Sequence, residues 1–163
     1  MYKIVNATVS DIPLIRELCF QVWPQTYASM LSQDQISYML GLMYNEKALE
    51  EQMNAGARFL FLYEEDKPVG FASYHEITPA VFKLHKIYVL PSEQGKGAGK
   101  FIIDHIVAIA VAANGKALQL QVNKQNKARS FYEKLGFAVI EEKVIDIGSG
   151  YVMDDFIMEK PLG

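Results

Sequence analysis

The sequence lacks the features of a secreted, disulfide-stabilised or membrane-spanning protein. Cys19 is its one cysteine among 163 residues, so no intrachain disulfide can form. Cys19 lies in an apolar helical pattern, which favours a small core residue over a catalytic nucleophile. No apolar run reaches the roughly 18 residues of a membrane span, and residues 1–5 lack the charged start and apolar core of a signal peptide. We therefore expect a cytoplasmic protein without a membrane partner.

Charge of one sign is also scarce. The chain carries 16 Lys and Arg against 19 Asp and Glu, a formal net charge of −3, without long single-sign runs. Nucleic-acid-binding proteins usually present a basic face, so we expect no nucleic-acid partner. A mildly acidic enzyme suits a cationic acceptor better than an anionic one, although net charge is a weak clue.

What the chain does have is material for one core. Half of its residues are apolar and 12% are aromatic, a composition that excludes a disordered chain. Its length suits one domain, and no repeat, linker or low-complexity stretch interrupts it. We expect a single domain over residues 1–163.

Hydrophobic periodicity predicts the element order β-α-α-α-β-β-β-α-β-α-β-β. Strands are expected near residues 2–5, 58–64, 69–77, 81–90, 117–122, 137–147 and 151–159. The first helix is expected to follow Asp11, to bury a stripe of Ile15, Leu18, Cys19 and Val22, and to stop at Pro24. The other helices are expected near residues 32–43, 46–54, 97–113 and 126–135. The last of these is expected to turn Tyr132 inward and to end at Gly136, and the final hairpin to turn at Gly148-Ser149-Gly150. The order predicts an α/β (α+β) fold with a single mixed, mostly antiparallel central sheet of about seven strands and helices on both faces. The helix near 97–113 would be a right-handed crossover.

The most informative segment is a glycine-rich loop between a strand and a helix, residues 94–100 (Gln-Gly-Lys-Gly-Ala-Gly-Lys). Glycine permits positive φ and lets a ligand approach the backbone amides without a Cβ in the way. The free amides at the start of the helix and the helix dipole together favour a phosphate. Lys96 and Lys100, four residues apart, add positive charge.

Other phosphate-binding loops fit this segment poorly. A dinucleotide fingerprint needs G-x-G-x-x-G, whereas the spacing here is G-x-G-x-G. A P-loop needs a glycine where Gln94 stands and Ser or Thr where Phe101 stands. The remaining structural alternative is a glycine-rich turn that simply begins a helix.

Two segments of the chain resemble a known family. The pattern Gln94-x-x-Gly97-x-Gly99 resembles the Q/R-x-x-G-x-G/A signature of the GNAT superfamily of N-acetyltransferases. The preceding Leu84-x-x-Ile87-Tyr88-Val89-x-Pro91 resembles the fourth strand of that family, and the element order is similar across nearly the whole chain.

The resemblance implies a GNAT-like (acyl-CoA N-acyltransferase) fold and acetyl-CoA as co-substrate, with no metal. It further implies that coenzyme A contacts the backbone of ten residues in two groups. The pyrophosphate would be held by the amides of Gln94, Gly95, Lys96, Gly97, Ala98, Gly99 and Lys100. The pantetheine arm would pair with Ile87, Tyr88 and Val89 like an added strand.

A second marker covers residues 123–137. It resembles the GNAT segment N-x-x-A-x-x-F-Y-x-x-x-G-F, with Asn-x-Ala in place of the longer gap. The resemblance implies that Tyr132 is the general acid, since a tyrosine that stays protonated at neutral pH can donate to the departing thiolate; the alternative is a core tyrosine. Asn126 is expected to touch the cofactor or to cap the helix, and Lys134 to meet the 3′-phosphate or to be a solvated surface lysine.

The acceptor site has weaker signals. His75, Glu76 and His85 are candidates for a base, each with a purely structural alternative. The Trp23-Pro24-x-Thr26-Tyr27 stretch, with Tyr38-Met39-Leu40 and Tyr44, is expected to form core or to line a slot for an aliphatic chain. Together with the stretch 147–155, these segments resemble the bacterial spermidine/spermine N-acetyltransferase (PaiA-like) branch.

That second resemblance implies a small polyamine acceptor, such as spermidine or spermine. Four carboxylates become candidates for attracting a polycation, each of them otherwise an ordinary surface group: Asp34, Asp146, Asp154 and Asp155. The alternatives are a protein or peptide acceptor, or a non-catalytic CoA-binding sensor. We expect a homodimer, in which the apolar final strand pairs at a sheet edge.

Overall fold

The computed structural model describes residues 1–163 and contains five α-helices and seven β-strands. The helices are Ile12–Tyr27 (α1), Gln33–Met43 (α2), Glu46–Asn54 (α3), Ala98–Ala112 (α4) and Ala128–Lys134 (α5). The strands are Tyr2–Asn6 (β1), Arg58–Glu64 (β2), Lys67–Thr78 (β3), Val81–Val89 (β4), Ala117–Asn123 (β5), Ala138–Gly148 (β6) and Tyr151–Pro161 (β7). No helix has both the length and the apolar character needed to cross a membrane.

The strands form one mixed sheet in the order β1-β2-β3-β4-β5-β7-β6. The pair β4/β5 is parallel, as a crossover through α4 requires. The pairs β1/β2, β2/β3, β5/β7 and β6/β7 are antiparallel. The predicted mixed, mostly antiparallel seven-stranded sheet is therefore confirmed.

The final strand does not lie at a sheet edge. β7 pairs with β5 on one side and with β6 on the other, so the edge strand is β6. The expectation that the apolar final strand offers an edge is wrong, because the hairpin folds back and inserts β7 between its neighbours. The turn is Ser149–Gly150, where both residues have positive φ (54° and 81°), as a tight two-residue hairpin needs.

The chain divides into two compact units. The first comprises Met1–His75 and Lys86–Asp104 and contains α1, α2 and α3. Its core includes the predicted apolar stripe of α1: Ile15, Leu18, Cys19 and Val22 are at most 2% exposed. The second comprises Glu76–His85 and His105–Gly163, and its core includes Leu118, Leu120 and Met158.

Helix α1 starts as predicted but continues past its proline. Thr8 and Asp11 form a capping box on the short 3₁₀ turn Val9–Asp11 that leads into α1, in which the Thr8 N–H donates to Asp11 Oδ2 at 2.8 Å. The predicted stop at Pro24 is wrong, since the helix continues to Tyr27. Pro24 has no N–H to donate to the Phe20 carbonyl. Both residues lie on the exposed side of the helix, where water can satisfy that carbonyl.

Candidate functional site

The glycine-rich loop is exposed and held in a glycine-specific conformation. A short 3₁₀ turn, Pro91–Glu93, precedes it, and α4 begins at Ala98. Gly95 and Gly97 have φ of 79° and 84°, in the region that L side chains rarely adopt. A Cβ at either position would meet no atom within 4 Å. These two glycines are therefore required by backbone conformation rather than by crowding within the protein.

The two loop lysines already have carboxylate partners. Lys96 Nζ lies 3.5 Å from Glu93 Oε2, and Lys100 Nζ lies 2.5 Å from Asp104 Oδ2. Both lysine side chains are more than half exposed, and so is Asp104, whereas the Glu93 side chain is only 12% exposed. An incoming phosphate therefore competes with a weak, exposed partner at Lys100 and with a mostly buried carboxylate at Lys96.

The strand that leads into the loop lies close to its neighbour. The Leu90 N–H donates to the Val69 carbonyl at 2.8 Å. A Cβ on Gly70 would lie 2.7 Å from the Tyr88 carbonyl oxygen and 3.4 Å from Val89 Cα. Only glycine permits that approach, because real Cβ atoms do not come so close to a backbone oxygen. An isolated glycine within a strand is itself a signal for close backbone approach, and that signal was overlooked at position 70.

Gln94 links the loop to this strand. Its Nε2 donates to the Val89 carbonyl at 3.3 Å. A carbonyl oxygen has two lone pairs, so the Val89 oxygen can still accept a second hydrogen bond. The roles predicted for Ile87, Tyr88 and Val89 and for the loop amides stay predictions.

Five rings of the first unit form an aromatic cluster: Trp23, Tyr27, Tyr44, Phe71 and Tyr88. The Trp23 ring lies 4.6 Å from Tyr27, 5.5 Å from Tyr44 and 5.8 Å from Tyr88 between centroids. Phe71 lies 5.6 Å from Tyr88. Trp23, Tyr27 and Tyr44 were candidates from sequence. The participation of Phe71 and Tyr88 was missed, since no local pattern links strands β3 and β4 to the end of α1.

The polar atoms of this cluster are unevenly satisfied. Burial raises the pKa of both Tyr44 and Tyr88 well above the ordinary value of 10.0, so both phenols are neutral donors. Trp23 Nε1 is buried without a hydrogen bond of good geometry, but its approach to the Tyr44 hydroxyl partly opposes the raised pKa of that phenol. The indole N–H is therefore weakly satisfied within the cluster.

One cation and one thiol border the aromatic cluster. Lys86 Nζ lies 5.0 Å from the centroid of the Tyr44 ring, a cation–π distance. Cys19 is fully buried, and burial raises its pKa to about 12, against opposing effects of Lys86 and Tyr44. A thiol with that pKa is not a nucleophile at neutral pH, which agrees with the core role predicted for Cys19.

Tyr132 lies on the inward face of α5, as its spacing predicts. The residue is 9% exposed, and its ring packs 5.4 Å from Phe131 and 5.9 Å from Phe137 between centroids. Gly136, with φ of 97°, follows the helix as the predicted terminating glycine. Whether Tyr132 acts as a general acid stays a prediction.

The flanking residues of α5 differ in part from expectation. The helix begins at Ala128 rather than at 126, and Asn126 Oδ1 accepts from the Ala128 N–H at 2.9 Å. Asn126 therefore forms a local turn just before the helix, the kind of bond that Asn favours. Lys134 is exposed in the last turn of the helix. Contact of either residue with the cofactor stays a prediction.

Of the four candidate carboxylates, three have structural partners. Asp146 accepts from the Gly148 N–H at 2.8 Å, and Asp154 lies 2.9 Å from Lys124 Nζ. Asp155 is 3% exposed and accepts from Gln121 Nε2 at 3.4 Å. Asp34 is exposed in the first turn of α2.

The candidate bases lie on β3 and β4. His75 is half-buried, whereas Glu76 and His85 are exposed. Because successive strand residues point to opposite faces, His75 and Glu76 cannot serve the same face of β3. No group of three or more His, Cys, Asp or Glu side chains is placed to hold a metal ion.

Comparison with known proteins identifies the family of the chain and two relatives. Residues 27–153 match the family described as the acetyltransferase (GNAT) domain. The chain is 29% identical to the spermidine N(1)-acetyltransferase of Thermoplasma acidophilum, over 97% of this chain and 96% of that protein. It is 32% identical to the ribosomal protein bS18-alanine N-acetyltransferase of Haemophilus influenzae, over 54% of this chain and 61% of that protein.

The fold has a solved counterpart of the same extent. The crystal structure of the PaiA N-acetyltransferase from Thermoplasma acidophilum, in complex with coenzyme A, superposes with a TM-score of 0.83. The two chains are 24% identical, and the match covers 99% of each. At that identity the likeness concerns the fold.

Proposed function

Because the chain belongs to the GNAT acetyltransferase family and is an acetyl-CoA-dependent N-acetyltransferase, we propose that its acceptor is a small polyamine such as spermidine or spermine. The observation that carries this proposal is the extent of similarity to the spermidine N(1)-acetyltransferase, 97% of this chain. A match of that extent includes most of the α1–α3 region, which contributes Trp23, Tyr27 and Tyr44 to the aromatic cluster. The bS18-alanine relative matches only 54% of this chain.

Coenzyme A is proposed to bind through the loop and the strand before it. The exposed backbone of Gln94–Gly97 and the start of α4 offer amides and a helix dipole to the pyrophosphate. Lys96 and Lys100 would exchange their carboxylate partners, Glu93 and Asp104, for phosphate oxygens. Ile87, Tyr88 and Val89 would bind the two amides of pantetheine through their backbone. Asn126 and Lys134 are proposed as secondary contacts.

The aromatic cluster is proposed as the wall that the acceptor chain contacts. Tyr88 belongs both to this cluster and to the strand segment proposed to bind pantetheine, so an acceptor on the cluster would lie beside the thioester arm. The rings of Tyr27 and Tyr88 are partly exposed and supply apolar surface for the methylene groups of a polyamine and π faces for its distal ammonium groups. The buried rings of Trp23, Tyr44 and Phe71 hold these two tyrosines in place.

Lys86 gives this wall a second function. Free alkylamines are mostly protonated at neutral pH and cannot attack a carbonyl in that form. A nearby positive charge disfavours the protonated amine and lowers its pKa. We place the reacting amine near the Lys86 end of the cluster, where the cation over Tyr44 favours the neutral nucleophile.

The transfer is then a direct displacement. The amine nitrogen bonds to the thioester carbonyl carbon, the carbon–sulfur bond breaks, and the amine proton leaves to a base through water. The Tyr132 hydroxyl donates a proton to the departing sulfur, so that the products are the N-acetylated amine and free coenzyme A. His75, Glu76 and His85 remain the candidate bases.

A thiol-release assay across an amine panel tests the acceptor. We expect kcat/KM for spermidine and spermine to exceed the values for short monoamines and for a peptide with an N-terminal alanine by about tenfold or more, the ratio that a few added contacts supply. Preference for the peptide would overturn the polyamine proposal and favour the activity of the bS18-alanine relative. If coenzyme A stabilises the protein but no amine causes thiol release, the result would instead favour a non-catalytic CoA-binding sensor.

A homodimer is also proposed, now through the edge strand β6. Ile140 and Val144 on this strand are 51% and 64% exposed, and an exposed apolar edge is a pairing surface. Sedimentation of the wild type and of Val144→Lys would test it, since a dimer through β6 should weaken in the variant.

A further inference from the structure

The first unit contains a cavity that the transfer reaction does not use. Its volume is about 370 Å³, within the range of small-molecule sites. It lies where β1 leads into α1, where α3 ends and where β2 and β3 run side by side. The lining residues are Asn6, Ala7, Thr8, Val9, Met53, Asn54, Ala57, Arg58, Phe59 and Tyr74.

Arg58 is the only charged residue that lines the cavity. Arg58, the first residue of β2, is exposed and forms no ion pair, and no carboxylate is among the lining residues. Asp11 is nearby in sequence, but its Oδ2 accepts from the N–H and the Oγ1 of Thr8 at 2.8 and 3.2 Å. The Arg58 guanidinium is therefore available to a ligand.

Tyr74 supplies a hydroxyl donor next to that charge. Arg58 and Tyr74 are paired across β2 and β3, so their side chains share one face of the sheet. Tyr74 is 5% exposed, lines the cavity and forms no hydrogen bond through its hydroxyl within the protein. Asn6 and Asn54 add amide groups, whereas Val9 and Met53 add apolar surface.

From this arrangement we infer that the cavity binds a small carboxylate-bearing molecule. Guanidinium forks match carboxylates in a bidentate way, and the Tyr74 hydroxyl is placed to donate a further bond. The apolar side chains suit a compact hydrocarbon body. None of the lining residues belongs to the glycine-rich loop, to Ile87–Val89 or to the aromatic cluster, so this ligand is neither the cofactor phosphate nor the amine acceptor.

Benzoate and its neutral isostere benzamide provide the test, by isothermal titration calorimetry with the enzyme saturated with coenzyme A. We expect benzoate to bind and benzamide to bind at least about tenfold more weakly, since hydrogen bonds to a charged group are the stronger ones. Arg58→Met should weaken benzoate by a similar factor and Tyr74→Phe by about fivefold. Lys67→Met and Tyr63→Phe, changes of the same kind on β3 and β2, should leave it unchanged.

Several results would overturn the inference. They are equal binding of benzoate and benzamide, tighter binding of inorganic phosphate than of benzoate, and unchanged benzoate affinity in Arg58→Met. Loss of benzoate binding when coenzyme A is added would show that the anion occupies the cofactor site. Circular dichroism checks that each variant is folded. If Arg58→Met does not fold, Tyr74→Phe, which keeps the aromatic ring, still tests the inference.

Discussion

The hydroxyl groups of Tyr27 and Tyr88 lie 3.0 Å apart, although 61 residues separate them in the chain. Tyr27 is the last residue of α1, and Tyr88 belongs to the β4 segment proposed to bind pantetheine. Burial keeps the Tyr88 phenol neutral because it raises the pKa. The hydrogen bond therefore joins the proposed acceptor wall to the proposed cofactor strand.

A double-mutant cycle should detect this bond. Tyr27→Phe or Tyr88→Phe removes this hydrogen bond, so each single change should lower the free energy of unfolding by about 1–2 kcal/mol. The double variant should lose less free energy of unfolding than the sum of the two single variants, with a coupling energy of about 1 kcal/mol. Urea denaturation measures all four proteins, and strict additivity would show that the two hydroxyls are not coupled.

Gly70→Ala should damage both stability and cofactor binding. The new Cβ would lie 2.7 Å from the Tyr88 carbonyl oxygen, a backbone atom that can move only with β4. We expect a loss of about 1–3 kcal/mol and a smaller rise of the melting temperature on addition of coenzyme A. Gly41→Ala is the matched control, because a Cβ there meets nothing within 4 Å inside α2, and it should be neutral or stabilising. Similar behaviour of the two variants would remove the role assigned to Gly70.

Tyr132→Phe should reduce turnover much more than cofactor affinity. The ring that packs on Phe131 and Phe137 is kept, and only the proposed proton donor is lost. A lost general acid costs about 10²–10⁴ in rate. Stopped assays give kcat, and calorimetry gives the Kd of coenzyme A; Tyr63→Phe serves as the control. Unchanged kcat would assign Tyr132 to the core alone.

Lys86→Met should move the pH profile of the reaction. Without the cation over Tyr44, the bound amine holds its proton more tightly and its pKa rises. The alkaline rise of the kcat profile for spermidine, which reports groups in the enzyme–substrate complex, should therefore shift to higher pH, with the largest loss of rate near neutral pH. Lys67→Met removes a similar charge from the β3 end of the first unit and should not shift the profile. A profile that does not move in Lys86→Met would contradict the placement of the reacting amine.

Asp155 should make stability depend on pH in mildly acidic solution. Burial raises the pKa of its carboxyl above 3.8, and the Gln121 hydrogen bond and Lys83 only partly oppose this. The folded state then holds the proton more tightly than the unfolded chain, so the free energy of unfolding falls as pH rises from about 4 through the native pKa. Asp155→Asn should flatten that fall. Gln121→Leu should steepen it, because it removes the bond that favours the carboxylate, and denaturation midpoints at several pH values report both.

Local signals predicted most of the fold. The apolar stripe of α1, the glycine after α5 and the two-residue Ser149–Gly150 turn each depend on neighbours within a few positions, and each lies where the pattern indicates. Pro24 failed as a stop signal because its cost depends on whether the Phe20 carbonyl faces water, which a sequence does not reveal. β7 failed as an edge for a similar reason, since strand order is set by long-range pairing.

Some features of the candidate site depend on neighbouring residues in the sequence, and others depend on long-range packing. The conformation of the glycine-rich loop follows from its own residues, and its positive φ values were foreseeable. The partners of Lys96 and Lys100 are also local, at three and four residues. By contrast, the aromatic cluster unites α1, β3 and β4, and neither Phe71 nor Tyr88 carries a local mark of that contact.

Trp23 gives the protein a built-in optical reporter. It is the single tryptophan in the chain, so all indole emission originates from the aromatic cluster. Its ring is 3% exposed and lies within 6 Å of Tyr27, Tyr44 and Tyr88. Excitation selective for indole therefore follows this wall alone, and the spectrum of the unlabelled enzyme can record when an amine arrives and when the acetylated product departs.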